Sequence, residues 1–113
     1  MANHVTYFEV TGKDGDALQK FYSAALGWKI DPAPVPGYGF VHSSSKVLMR
    51  GGIGTAPPRS PSGVKFYVQT DDMKATLRKI EKAGGKVLMP PTQIGGSTIA
   101  LFADPEGHVV GLL

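Results

Sequence analysis

A chain of 113 residues, 42% hydrophobic and without cysteine, is long enough for one compact domain, and it has no disulfide framework, thiolate nucleophile or thiolate metal site. The formal charge of +3 does not mark a nucleic-acid binder. Lys20, Lys29, Arg78, Lys79, Lys82 and Lys86 fall on or just after polar helix faces, among Asp and Glu. No stretch approaches the roughly 20 apolar residues of a membrane span, and Met1-Ala2-Asn3-His4 lacks the basic region and apolar core of a signal peptide. A cytoplasmic address with no membrane or nucleic-acid partner is therefore expected.

Val5 to Val10 alternates as a half-buried strand, with Val5, Tyr7 and Glu9 on one face and Thr6, Phe8 and Val10 on the other. A helix follows, capped by Asp14 or Asp16, with Leu18, Phe21, Tyr22 and Ala25 as its inward stripe and Gly27 as its stop. Trp28 to Ile30 starts a second strand. Pro32, Pro34 and Pro36 then exclude regular helix, and Tyr38 to Ser43 and Lys46 to Met49 form two more strands across the turn Ser43-Ser44-Ser45.

A segment from Gly51 to Gly63 with Pro57, Pro58 and Pro61 links the two halves. Val64 to Thr70 is the next strand, and Asp71 or Asp72 caps a helix with Met73, Leu77, Ile80 and Ala83 inward and Gly84 as its stop. Lys86 to Met89 is a short strand. Ser97 to Ala103 and His108 to Leu113 make a hairpin around the turn Asp104-Pro105-Glu106-Gly107. The second half thus repeats the first. Tyr7-Phe8-Glu9-Val10 reads against Tyr67-Val68-Gln69-Thr70, and Gly27-Trp28-Lys29-Ile30 against Gly84-Gly85-Lys86-Val87, 57 positions later. Neither half could bury a sufficient core alone.

The order is βαβββ twice. With Phe21-Tyr22 followed by Leu26-Gly27-Trp28, the Ala83-Gly84-Gly85-Lys86-Val87 turn, and Phe102-Ala103-Asp104-Pro105-Glu106-Gly107-His108, the chain resembles the vicinal oxygen chelate superfamily of glyoxalases, bleomycin-resistance proteins and dioxygenases. The resemblance covers nearly the whole sequence. It implies an α+β fold of two βαβββ modules, about residues 1–54 and 63–113 joined through about 55–62, whose mixed sheets form a cup with the helices outside. If Phe8, Val10, Phe66 and Val68 face the helices, then Val5, Tyr7, Glu9, Lys65, Tyr67 and Gln69 face the cup.

Metalloenzymes of the superfamily draw ligands from the first and last strands of each module. The matching positions here are Val5, Met49, Lys65 and Gly111, a set without a donor suited to a hard or borderline divalent ion, so no metal cofactor is expected. A one-residue slip of the first strand would bring in His4 but turn Phe8 and Val10 away from the helix. His4, His42 and His108 are otherwise surface or turn residues. None is spaced from another as in a helical zinc motif.

Glu9 and Gln69 hold equivalent places in the repeat, each two residues after a cup-facing tyrosine. Glu9 is the candidate proton acceptor, with Tyr7 or Tyr67 as hydrogen-bond donor to a developing oxyanion. The alternatives are an ion pair of Glu9 with Lys65 or Arg50 across the cup, and tyrosines that only pack. Gln69, Lys65, Tyr38, Met49 and Arg50 complete the candidate ligand-binding set, with Phe40 as further apolar wall and Trp28 as core. The glycines of Arg50-Gly51-Gly52-Ile53-Gly54 let the chain bend or approach another backbone, because a phosphate loop would need a Lys-Ser/Thr ending and a following helix. The resulting expectation is a small-molecule-binding protein with an isomerase or lyase-like reaction. The alternatives are non-catalytic drug or metabolite binding and metal-dependent glyoxalase or dioxygenase chemistry. The resemblance further implies a homodimer, which would also bury exposed sheet edges.

Overall fold

The computed structural model describes residues 3–42, 49–58 and 61–113. The expected turn at Ser43-Ser44-Ser45 and the strand residues Lys46, Val47 and Leu48 lie outside these. The chain falls into two compact units, Thr6–Val64 and Lys65–Leu113, the latter joined by the residues up to Val5. Each repeats one plan.

In the first unit β1 (Val5–Gly12) leads to α1 (Gly15–Leu26), β2 (Ile30–Pro32), β3 (Tyr38–Val41) and β4 (Arg50–Thr55), and the sheet order is β2-β3-β4-β1. β1 runs parallel to β4, and the other pairs are antiparallel. Asp14 caps α1 by accepting a hydrogen bond from the Ala17 N–H at 3.0 Å, and Gly27 closes it in the left-handed conformation at φ 72°.

The inward stripe of α1 differs from expectation. Phe21 is 61% exposed and Ala25 is exposed. Tyr22 takes the inward place by stacking on Trp28, with centroids 5.3 Å apart and planes 13° from parallel, and Phe21 lies edge-on to Tyr22. Leu18, as expected, together with Gly15 and Gln19 supplies the rest of the inward face. Gly15 lies where a Cβ would overlap the backbones of Gly37, Gly54 and Thr55, and Gln19 Nε2 donates to the Ile53 carbonyl at 3.0 Å. Trp28 also packs on Phe8 at 5.6 Å, so it belongs to the core under the helix.

The segment expected to be a linker from Gly51 contains β4, and Met49, expected on that strand, precedes it. Glycine disfavours strands because it has no side chain to pack. Here aromatic rings cover the gaps, since a Cβ at Gly51 would overlap the Phe8 ring, and one at Gly52 or Gly54 would overlap Tyr38. At Gly51 and Gly52 the close approach is of side chains, while Gly54 is also approached by the backbone of Gly37 and, from α1, by Gly15.

In the second unit β5 (Gly63–Val68), α2 (Met73–Lys82), β6 (Lys86–Ile94), β7 (Ser97–Ala103) and β8 (Val109–Leu112) form a sheet ordered β5-β8-β7-β6, again with first and last strands parallel. Asp72 caps α2 through the Ala75 N–H at 3.0 Å. Leu77 packs with Ala100 and Leu112 in a buried cluster that Val68, Met73, Ile80, Val87 and Phe102 extend. Ala83, expected inward, is the exposed C-cap. β6 runs beyond Met89 through Pro90 and Pro91. That is tolerated because it is an edge strand whose register to β7 shifts between Met89 and Thr92.

Candidate functional site

On β1, Phe8 and Val10 point toward α1, and a Cβ at Gly12 would meet Leu18 at 3.0 Å. Strand alternation therefore places Tyr7 and Glu9 on the opposite, helix-free face, as the sequence implied, and Thr11 with them. The register brings Glu9 level with Gly52, and Phe40 of β3 level with Gly52 from the other side. Tyr38 is level with Gly54.

Three side chains meet there. The Tyr38 hydroxyl donates to Glu9 Oε2 at 2.8 Å, and the Tyr7 and Tyr38 hydroxyl oxygens lie 2.7 Å apart. Both hydroxyls converge directly over Gly52, where any Cβ would collide with them. The Phe40 ring, 44% exposed, stands edge-on to Tyr38 at 5.7 Å and 80°. Thr11, 7% exposed, lies farther along the same face of β1, and among the described residues its Oγ1 has no hydrogen-bond partner. Neither its orphaned hydroxyl nor the grip of Tyr38 on Glu9 was foreseen. Tyr38 and Glu9 are 29 positions apart, and no local pattern links them.

Burial pushes the Tyr7 hydroxyl above its ordinary value near 10.0, opposed by the Tyr38 hydrogen bond and assisted by the Glu9 charge. Tyr38 is pushed up strongly, first by burial and then by the negative charge of Glu9. Tyrosines so raised in the folded state contribute stability that is complete below the unfolded value of about 10 and is lost as pH rises past it. An alkaline absorbance titration should show ionisation delayed relative to that value, and Tyr38→Phe should remove the most delayed transition. Ordinary ionisation of Tyr38 would contradict the burial of this cluster.

In the second unit Tyr67 is 5% exposed, with its ring lying over Gly111, its register partner on β8. Lys65 shares its face of β5 by alternation. Gln69 lies beyond the end of β5 with an exposed side chain, and its backbone N–H donates to the His4 carbonyl at 2.9 Å. Glu9 and Tyr67 each stand five residues before the aspartate that caps the next helix. The repeat therefore matches Glu9 with Tyr67 rather than with Gln69. Arg50 is exposed at the start of β4, level with Tyr7, and Met49 is exposed beside it.

The histidines sit at turns or strand ends. His42 Nδ1 lies 3.5 Å from Asp31, with both side chains exposed. His108 Nδ1 lies 2.9 Å from Asp104 Oδ2, while Asp104 Oδ1 accepts the N–H groups of Glu106 and His108. The His108 backbone bond, then its side chain, holds the Asp104 carboxyl below its usual range, which closes the predicted turn.

The model of the Glyoxalase/Bleomycin resistance protein/Dioxygenase superfamily matches residues 2–112. The chain belongs to that superfamily. CFP32 of Mycobacterium tuberculosis, provisionally described as a glyoxylase, is 36% identical over 106 residues, which cover 88% of this chain and 41% of CFP32. The chain thus spans about two fifths of that relative's length. Among solved structures, a superfamily member from Vibrio splendidus aligns with a TM-score of 0.66 at 13% identity, covering 98% of this chain and 97% of that one. Methylmalonyl-CoA epimerase of Streptomyces coelicolor aligns with a TM-score of 0.68 at 20% identity, covering 99% and 96%. These likenesses establish the superfamily fold of paired βαβββ modules.

The positions that the resemblance matches to the superfamily's metal ligands are Val5, Met49, Lys65 and Gly111. Gly111 has no side chain and lies beneath the Tyr67 ring, valine has no donor atom, and Met49 is an exposed thioether outside β4. This donor set does not fit a hard or borderline divalent ion. Among the described residues, no group of three or more His, Asp or Glu side chains is placed to hold one.

Proposed function

We propose that the chain binds a small organic molecule on the helix-free face of its first module and uses Glu9 as a proton acceptor, in isomerase- or lyase-like chemistry that needs no divalent metal. The observation that carries this reading is the Tyr7–Tyr38–Glu9 cluster. A carboxylate held at 2.8 Å by a tyrosine, over a glycine that leaves room for both phenols, is a positioned base beside an exposed aromatic ring. The fold shared with methylmalonyl-CoA epimerase, an enzyme named for an isomerase reaction, supports the reaction class.

Proton abstraction is tested without knowing the physiological substrate. The protein is incubated in heavy water with 2-hydroxy ketones and with methylmalonyl-CoA, and deuterium incorporation next to the carbonyl is followed by NMR. Catalysed exchange that Glu9→Gln abolishes supports the enzyme. Binding of these compounds at Tyr7 and Tyr38 without exchange would replace it by a sequestering protein.

We also propose a homodimer, since Val64 and Phe66 on β5 are 74% and 44% exposed. Light scattering should give about twice 11.9 kDa, and a monomer mass at tens of micromolar would overturn the dimer.

A further inference from the structure

Basic side chains gather at one end of the helix-free face of the first unit. Trp28 packs on Phe8, and Ile30 lies with Gln19 where a Cβ at Gly39 would point, so both face α1. Alternation then turns Lys29 and Asp31 to the opposite face. The His42 N–H donates to the Lys29 carbonyl at 2.7 Å, which carries the β2–β3 pairing one residue past Ile30 and Val41. His42 shares that face, since its Nδ1 lies 3.5 Å from Asp31 Oδ2. One step past the Val41–Gly51 pair, the β3–β4 register sets His42 beside Arg50, which is itself level with Tyr7. Arg50 alternates with Gly51, where a Cβ would point at Phe8, so Arg50 also faces away from α1. Lys29, His42 and Arg50 thus form a row at the ends of β2, β3 and β4, one level from Asp31, Phe40, Gly52 and Glu9.

All three side chains are exposed, and among the described residues neither Lys29 nor Arg50 is in an ion pair. The nearby carboxylate of Asp31 turns to His42, so Lys29 and Arg50 together leave this end net positive. We propose that the row is an anion subsite for the phosphoryl end of an organic phosphate monoester, whose carbon skeleton lies over the Phe40 ring toward Glu9. The inference rests on the reading that this face binds a small molecule. The Arg50 guanidinium can pair two phosphate oxygens through its fork of N–H groups, and the Lys29 ammonium supplies a second charge from the other side of His42. A phosphate monoester suits the row better than a carboxylate, because it carries close to two charges at neutral pH and three acceptor oxygens. Residues two apart on one strand face are separated by roughly 6.6 Å. The phosphoryl group and the carbon that faces Glu9 are therefore joined by a short chain.

Benzyl phosphate and benzyl alcohol differ only in the phosphoryl group, and their binding to isotope-labelled protein is read from the backbone NMR signals of Lys29, Phe40, His42 and Arg50. Benzyl phosphate should shift these signals and bind about tenfold more tightly than the alcohol, in keeping with charge-assisted hydrogen bonds. Lys29→Gln and Arg50→Gln should each weaken benzyl phosphate by about threefold to tenfold, with little change in Tm because both side chains are exposed. Arg50→Lys should recover only part of that loss, since it keeps the charge and loses the fork. Lys79→Gln removes an exposed cation from α2, lowers the net charge equally and should leave the affinity as it was. An equal loss with Lys79→Gln, or none with Lys29→Gln and Arg50→Gln, would overturn the subsite and reduce the preference to the overall charge of +3. Benzyl alcohol that binds beside Phe40 as tightly as benzyl phosphate would also remove the subsite while leaving the binding reading in place. Inorganic phosphate that shifts the row while neither benzyl compound moves Phe40 would instead overturn the binding reading, and the organic phosphate with it.

Discussion

Gly52→Ala is expected to destabilise the protein by about 2–3 kcal/mol, a drop in Tm of roughly 10 °C. The added methyl would occupy the space in which the Tyr7 and Tyr38 hydroxyls meet. Both phenols are tied at their ends, Tyr38 to Glu9 and Tyr7 to Tyr38, so neither can swing aside without breaking a hydrogen bond. The substitution therefore adds overlap and also strips Glu9 of its Tyr38 donor. Because Gly52 and Tyr38 act on one contact, their effects should not add. In a double-mutant cycle, Tyr38→Phe should cost less on the Gly52→Ala background than alone, with a coupling of about 0.5–3 kcal/mol. Full additivity, or a Gly52→Ala protein as stable as the parent, would show that the two rings do not converge over this glycine.

Glu9→Gln should lower ligand affinity or deuterium exchange by about tenfold or more, equivalent to at least roughly 1.4 kcal/mol, with little change in Tm. Glutamine keeps the shape and can still accept the Tyr38 proton, so the packing over Gly52 survives while the negative charge and the basicity are lost. A carboxylate serving only as a structural ion-pair partner would behave in the opposite way, with a lower Tm and intact affinity. Unchanged function together with unchanged stability would detach Glu9 from the site altogether.

How far the sequence foretold this arrangement depended on the range of each interaction. Alternation along one strand was enough to put Tyr7 and Glu9 on the face opposite Phe8 and Val10, and short-range chemistry marked Asp14, Asp72, Gly27 and the Asp104 turn. Those features depend on residues only a few positions apart. β4 was hidden because its glycines carry no strand signal of their own. Their partners Phe8 and Tyr38 lie on other strands, and only the register reveals that the rings fill the gaps. Phe21 misled for a related reason, since an apolar residue at helical spacing was read as inward, while Gln19 and Gly15, with no hydrophobic signal, join Leu18 in the contact with the sheet. The pairing of Glu9 with Gln69 followed the short motif Tyr-x-Glu/Gln. Counting from the helix caps, which fix the frame of each module, moves the match to Tyr67.

The most direct test of the site is a crystal structure of the protein soaked with a 2-hydroxy ketone. The ketone should lie beside Phe40, with the carbon next to its carbonyl facing the Glu9 carboxylate and Tyr38 still bonded to Glu9 Oε2. A bound molecule found only elsewhere on the chain, with no density beside Glu9 and Phe40, would contradict the assignment of function to this face.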